Sequence, residues 1–227
     1  MAGNFSKLIR AVIRGETDVV SRMLANSPDL ATMHSTTGAT RRNASEWFFE
    51  EIAHGMFAGD TALHMAAAAF HRSAAELLVR HGASCRARNR RGAEPLHYAA
   101  DANRWEPAAQ KNTIEYLLTV GADPNALDKS GVSPLHRAVR TRASEAVRAL
   151  LAGGADVRLR NRNGSTALHL AVQDTGRSGA GSAHARSEQA KIIAILLDTG
   201  ARATDTDSSG KSVLEASSNE RIRQLLS

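Results

Sequence analysis

The sequence contains little of what several protein classes require. Its 227 residues include one cysteine, Cys85, which excludes an internal disulfide and is typical of a reducing compartment. Arg10, Arg14 and Glu16 interrupt the N-terminal segment, where a signal peptide needs an apolar core. No apolar run approaches the roughly 20 residues that a membrane-spanning helix needs. These features predict a soluble, cytoplasmic protein with no membrane segment.

Aromatic residues are also scarce. The chain has two tryptophans, two tyrosines and five phenylalanines, whereas alanine is abundant. This composition favours closely packed helices over a β-sandwich. The formal net charge of +6 indicates an acidic partner, although net charge informs association rather than fold.

What the sequence does contain is an internal repeat. The key leucines Leu63 and Leu96 are 33 residues apart, and the next two key leucines have the same separation. A repeat of this length is typical of a pair of short helices. One such pair cannot bury its apolar face alone, so we expect neighbouring pairs to stack on one another. The repeated segments are GDTALHMA from Gly59, GAEPLHYA from Gly92, GVSPLHRA from Gly131 and GSTALHLA from Gly164.

These segments resemble the ankyrin repeat, whose T-P-L-H-x-A pattern they match, and the resemblance covers nearly the whole chain. It implies an all-α ankyrin-repeat solenoid, in which helix–turn–helix repeats are joined by projecting β-turn or hairpin fingers. The chain, residues 1–227, is expected to form one domain of about six repeats with degenerate terminal caps. The predicted repeats span approximately 4–34, 59–91, 92–130, 131–163, 164–209 and 210–227.

Three insertions interrupt the repeats, at approximately 35–58, 101–112 and 173–187. The first insertion is predicted to contain a short helix with Asn43 and Glu46 at capping-box spacing. Its aromatic residues Trp47 and Phe48 either fold back over the first repeats, which is the favoured interpretation, or add to a binding surface. The third insertion is rich in glycine but lacks the Gly-Lys-Ser or Gly-Lys-Thr ending of a P-loop, and it is interpreted as a flexible, solvated linker.

Histidine recurs at one position of four successive repeats, as His64, His97, His136 and His169. Packed helices lie about 8–10 Å apart, whereas two imidazole nitrogens that share a zinc ion lie about 4 Å apart. A metal site is therefore not expected. The resemblance implies that each histidine bonds the neighbouring backbone and the threonine of its motif. No cofactor and no catalytic residues are predicted.

Basic residues concentrate in the finger turns, whose formal charges sum to +4 of the total +6. We expect a concave face that binds an acidic protein or peptide surface, and a solvated surface with no partner is the alternative. Reversing the charges of Arg90, Arg91 and Arg162 is expected to abolish binding and to leave the melting temperature nearly unchanged. The predicted partner-binding residues are Phe57, Arg90, Arg91, Lys129, Arg137, Arg140, Arg162, Trp47 and Trp105.

Other partners and functions are less well supported by the sequence. The basic turns lack the interleaved aromatic residues on which nucleic-acid bases stack, so nucleic acid is disfavoured. The chain is expected to be a monomer with no enzymatic activity. The alternative function is a small-molecule or anion binder, or an enzyme, built around the glycine-rich turn 176–182.

Overall fold

Short α-helices stacked in two layers build the chain. The computed structural model describes residues 3–40, 42–101, 106–174, 181–217 and 219–226. Within these ranges the helices are α1 (Gly3–Ile13), α2 (Thr17–Asn26), α3 (Ala62–Ala68), α4 (Arg72–Arg80), α5 (Pro95–Ala100), α6 (Pro107–Thr119), α7 (Pro134–Arg140), α8 (Ser144–Ala152), α9 (Ala167–Ala171), α10 (Ala183–Asp198), α11 (Val213–Ala216) and α12 (Glu220–Leu226).

The order of the helices along the chain is also their order in space. From α1 to α10, each odd-numbered helix packs against the helix that follows it in sequence. Odd-numbered helices also pack against one another from α1 to α11, and even-numbered helices do so from α2 to α12. This two-layer stack confirms the α-solenoid, whereas the count of six repeats and their predicted bounds stay predictions.

Local sequence explains where the first helix of a pair begins. Proline opens α5 and α7, a position where its missing N–H removes no helical hydrogen bond. Before α7, the Ser133 hydroxyl accepts a hydrogen bond from the His136 N–H at 3.3 Å. The key leucines at the first turn, such as Leu63 and Leu96, are fully buried in a core that runs from Phe5 to Ile222.

A finger turn joins each pair to the next, and one side chain organises it. In the finger after α6, Asp128 Oδ1 accepts hydrogen bonds from the Ser130 N–H at 2.8 Å and from the Val132 N–H at 3.0 Å. Asn89 and Asn161 do the same in their fingers. Neighbouring fingers are also joined by their backbones, since the Lys129 N–H donates to Arg91 O at 2.9 Å.

Neighbouring fingers are so close at Gly131 that no side chain fits there, and a substitution tests this contact. Gly131 has φ of +70°, and a Cβ there would lie 2.7 Å from Arg162 N in the next finger. Gly210 has φ of +81°, but a Cβ at that position would meet no described atom within 4 Å. Gly210→Ala should cost about 1–2 kcal/mol from its left-handed backbone alone. Gly131→Ala should lose about 1–3 kcal/mol more, because the fingers must separate. Urea denaturation measures both, and equal losses would contradict tight contact between the fingers.

The first insertion contains the predicted short helix only as a 3₁₀ turn after Asn43, and it also forms a small hairpin. Strands β1 (Phe48–Phe49) and β2 (His54–Gly55) pair antiparallel, with Phe48 opposite Gly55. A 3₁₀ turn precedes β1 at Ala44–Trp47, and another joins the strands at Glu50–Ile52. The predicted capping box is wrong, because Asn43 Oδ1 accepts from the Thr40 N–H at 2.8 Å and does not cap the turn.

Only some of the aromatic side chains of the insertion pack against the core. Trp47 is half-buried against the core, as expected, whereas Phe48 is 46% exposed. Successive strand residues point to opposite faces, so Phe49 packs inward and Phe48 outward. Ile52 and Met56 of the insertion are fully buried.

The other two insertions lengthen the second helix of their pairs. Helix α6 has 13 residues and α10 has 16, compared with 9 in α8. Helix α10 begins within the glycine-rich segment, where Ser182 Oγ accepts from the Ala185 N–H at 3.1 Å. The interpretation of 173–187 as a flexible linker is therefore wrong for 183–187. None of the helices in the described ranges combines the length and apolar character needed to span a membrane.

Candidate partner-binding site

A pocket of about 290 Å³ lies where the first insertion meets two fingers. Its walls come from the hairpin, the finger before α5, the end of α5, the finger before α7, and α7 itself. The pocket exists because stacking brings these five parts of the chain together. The lining residues are Ala53, His54, Gly55, Phe57, Asn89, Arg91, Ala93, Tyr98, Asp101, Asp128, Ser130, Val132, Arg137 and Arg140.

Four of the predicted binding residues line this pocket together, namely Phe57, Arg91, Arg137 and Arg140. An open groove of about 550 Å³ adjoins the pocket at Asp128 and is lined in part by two more, Lys129 and Arg162.

The remaining predicted residues lie elsewhere. The Arg90 guanidinium lies 6.0 Å from the centre of the Phe57 ring. Trp47 packs against the core instead of lining the pocket. Trp105 lies outside the described residues.

The floor of the pocket is a hydrogen-bond network around Asp60, which is fully buried. The Tyr98 hydroxyl donates to Asp60 Oδ2 at 2.8 Å, and Asn89 Nδ2 donates to Oδ1 at 2.8 Å. The Phe57 N–H donates to Oδ2 at 2.6 Å. Burial and the nearby Asp60 raise the pKa of Tyr98 well above its usual value, so the hydroxyl remains a donor at neutral pH. The network satisfies the buried carboxylate and fixes the insertion to α5.

His54 forms a wall of the pocket as a neutral imidazole. Its ring centre lies 4.5 Å from that of Tyr98, and Nδ1 lies 2.7 Å from Gly55 O. A carbonyl oxygen only accepts, so Nδ1 carries the proton. Burial lowers the pKa of His54 although Asp101 opposes this effect, and the neutral ring leaves Nε2 as an acceptor.

Arg137 is paired inside the chain, which sequence reasoning missed. Its Nη1 donates to Asp101 Oδ2 at 2.7 Å and its Nη2 donates to Asp128 Oδ2 at 3.1 Å. Its side chain is only 12% exposed. Burial would lower the pKa of Arg137, but the two carboxylates outweigh burial and the pKa is raised. Arg137 therefore balances one of the two negative charges of Asp101 and Asp128 and adds no free positive charge to the pocket.

Arg91 and Arg140 differ from Arg137, because both are exposed. Within the described ranges, neither forms an ion pair with a carboxylate. The Arg91 guanidinium lies 4.8 Å from the centre of the Phe57 ring, a distance typical of a cation–π contact. A guanidinium in such a contact still presents N–H donors to an anion. These two side chains are thus the available positive charges of the pocket.

Comparison of the sequence with models of protein families also detects the repeat. A family model described as ankyrin repeats (3 copies) matches residues 8–107 and again residues 105–207. The chain belongs to the ankyrin repeat family. Ankyrin repeats generally mediate protein–protein interactions. Comparison with curated proteins gives no match.

In this ankyrin repeat protein, the predicted backbone bonds of the four repeated histidines are confirmed, whereas the predicted bond to a motif threonine forms at His64 and His169 and is made by Ser133 at His136. Nδ1 of His64 accepts from the Thr61 N–H at 3.1 Å, and Nε2 donates to Ala93 O at 3.1 Å. His97 bonds Val132 O at 3.1 Å, and the other two reach carbonyls in the next finger in the same way. Among the residues that the structure describes, no cluster of three His, Cys, Asp or Glu side chains is arranged to hold a metal ion.

Several other arginines of the ankyrin fingers bond within the protein. Arg90 Nη2 donates to Ala39 O at 2.5 Å, and Arg162 Nη2 donates to Lys129 O. Arg88 pairs with Glu94 at 3.0 Å, and Arg158 pairs with Asp205 at 2.9 Å. Reversing Arg90 and Arg162 would remove bonds between segments of the chain. The structure thus gives no support to the expectation that the melting temperature would stay unchanged.

The glycine-rich turn proposed as an alternative site gains no support from this ankyrin structure. Residues 175–180 lie outside the described ranges. Arg186, a candidate anion ligand, donates through Nη1 to Gly181 O. This bond secures the start of α10 and gives no evidence of a ligand.

Proposed function

We propose that this ankyrin repeat protein is a non-enzymatic, monomeric, cytoplasmic module that binds an acidic segment of another protein. The observation that carries the proposal is the pair of exposed arginines, Arg91 and Arg140, in one pocket without a described carboxylate partner. The adjoining groove adds the exposed Lys129. Complementary charge gives such a surface specificity and fast association.

The mixed chemistry of the surface favours a protein partner over nucleic acid. Asp101 and Asp128 line the same pocket as the arginines, so the described lining carries one net positive charge, which is too little for the closely spaced charges of a phosphate backbone. Phe57 is the lining aromatic that contacts an arginine, and the buried Tyr98 is hydrogen-bonded in the floor. Neither arrangement offers the series of exposed rings on which bases stack.

Selection from a random peptide display library tests this function. Peptides selected on the full chain should be enriched in aspartate and glutamate. Their affinity should fall more than tenfold when salt rises from about 0.05 to 0.5 M, because exposed charges are then screened. The triple variant Arg91→Glu, Lys129→Glu, Arg140→Glu should lose these peptides, because it replaces the exposed positive charges of the surface by negative ones. The fold should be retained, since none of the three charged groups forms a hydrogen bond or an ion pair within the described residues.

A matched variant separates the site from the overall charge. Arg10→Glu, Arg22→Glu, Arg202→Glu changes the net charge equally at exposed positions away from the pocket and should retain the peptides. Selected peptides without acidic bias would contradict the proposed function. Equal loss in both triple variants would show that binding depends on net charge and not on this surface.

A further inference from the structure

The pocket has the chemistry of a subsite for one anionic group. We propose that it receives a single carboxylate of the partner, from an aspartate or glutamate side chain or from a chain terminus. This inference rests on the proposed function, which it makes specific. The exposed basic side chains outside the pocket would then attract the acidic partner with less specificity.

Charge balance is the first argument for a single carboxylate. Among the residues that the structure describes, the pocket lining contains three arginines, which are Arg91, Arg137 and Arg140, and two aspartates. Arg137 is held by both aspartates at 2.7 and 3.1 Å. One net positive charge remains, and one carboxylate neutralises it. A dianionic phosphate would leave the lining net negative beside Asp101 and Asp128, so it fits less well.

Hydrogen-bonding capacity is the second argument. Arginine donates two parallel hydrogen bonds to a carboxylate, which adds geometric specificity to charge. Ser130 contributes a hydroxyl to the lining, and its N–H is already bonded to Asp128 at 2.8 Å. The neutral His54 keeps Nε2 as an acceptor, because Nδ1 donates to Gly55 O. A peptide N–H next to the bound carboxylate can donate to this nitrogen.

The size and the rigid floor of the pocket are the third argument. Its volume of about 290 Å³ lies just below the roughly 300–1,000 Å³ found for small-ligand pockets, which suits one residue of a partner. The buried Asp60, Tyr98 and Asn89 bond one another beneath it. Such preorganisation reduces the ordering that binding would otherwise require.

Nuclear magnetic resonance titration of the full chain with small probes tests the subsite. Two of the probes each carry one carboxylate. N-acetylglutamate α-amide presents it as a side chain, and N-acetylglycine presents it as a chain terminus. At least one should bind with a Kd on the order of 1 mM or below. Shifts should be confined to the arginine Nε–Hε groups and backbone amides of the pocket. The neutral N-acetylglutamine α-amide and the dianionic N-acetylphosphoserine α-amide should bind at least tenfold more weakly.

Substitutions locate the binding. Arg91→Gln and Arg140→Gln should each weaken the carboxylate probe at least tenfold, whereas Arg202→Gln, on the finger before α11, should leave its Kd unchanged. Binding of only one carboxylate probe identifies the source of the group and supports the subsite. Absence of saturation, tighter binding of phosphoserine, or an unchanged Kd in the pocket variants would overturn it. If the library yields acidic peptides but the carboxylate probes do not bind the pocket, the subsite is wrong and the proposed function still holds.

Discussion

Replacement of Arg137 by methionine should lower the free energy of unfolding by about 3–5 kcal/mol, the range for breaking a buried ion pair. The arginine is 12% exposed and bridges Asp101 and Asp128, which are themselves only 18% and 7% exposed. Without it, both carboxylates keep their charge in a poorly solvated place. Urea denaturation monitored by circular dichroism measures the loss.

Arg140 supplies the matched control for this substitution, since it lies on the same helix and is exposed without a described carboxylate partner. Arg140→Met should change the free energy of unfolding by less than about 0.5 kcal/mol. A second variant, Arg137→Lys, retains the charge but loses the two-pronged geometry and should fall between the two. If Arg137→Met is as stable as Arg140→Met, the bridge does not organise the pocket.

Acidification should destabilise the protein between about pH 6.5 and 4, through the repeated histidines. Burial lowers the pKa of all four, and burial together with the nearby Arg137 lowers that of His97 to about 4. An unfolded histidine has a pKa near 6.5. The unfolded chain therefore binds protons in this window that the folded chain does not. Stability is complete above about pH 6.5 and is lost as pH falls. For His97 alone the loss approaches about 3 kcal/mol.

The free energy of unfolding measured from pH 7 to 4, in wild type and in His97→Gln, isolates this contribution. The variant starts less stable, because it loses the bond to Val132, and its stability should fall less steeply with pH. His34→Gln is the control at an exposed position and should follow the wild-type curve. Identical slopes in wild type and His97→Gln would contradict a neutral, hydrogen-bonded His97.

The sequence was sufficient for the parts of the structure that recur. A 33-residue period with leucine and histidine at fixed places predicted stacked helix pairs, and the resemblance of the repeated motif to the ankyrin repeat implied the bonding of the histidines. The uneven charge of the fingers drew attention to Arg91, and the place of Arg140 on the first helix of its repeat made it a candidate to extend the same surface. Each of these inferences relies on repetition, which a single sequence displays directly.

The features that the sequence did not reveal depend on contacts that occur at one place in the structure and are not repeated from one helix pair to the next. Strands of two residues, such as Phe48–Phe49, are too short to show an alternating pattern. Arg137 reaches Asp101 across 36 residues, and only the stacking distance of α5 and α7 brings the two together. The same applies to the bond from Tyr98 to Asp60.

Glu94 is an exception that left a visible signal. It occupies the place where the other motifs have Thr61, Ser133, Thr166 and Ser212, so its chemistry stands out in the sequence. In the structure its carboxylate is 1% exposed, and Oε2 has no hydrogen-bond partner in the described ranges. Burial raises the pKa of Glu94 although Arg88 opposes the change. A departure from a repeated pattern is thus a signal in the sequence that could have directed attention to this buried carboxyl.

A crystal structure of the chain with one selected acidic peptide is the most direct test of a carboxylate-binding pocket. The expected result is a peptide carboxylate within about 3 Å of a guanidinium nitrogen of Arg91 or Arg140, with the neighbouring peptide N–H on His54. A peptide bound along the even-numbered helices, with its carboxylates in solvent and the pocket unoccupied, would contradict it.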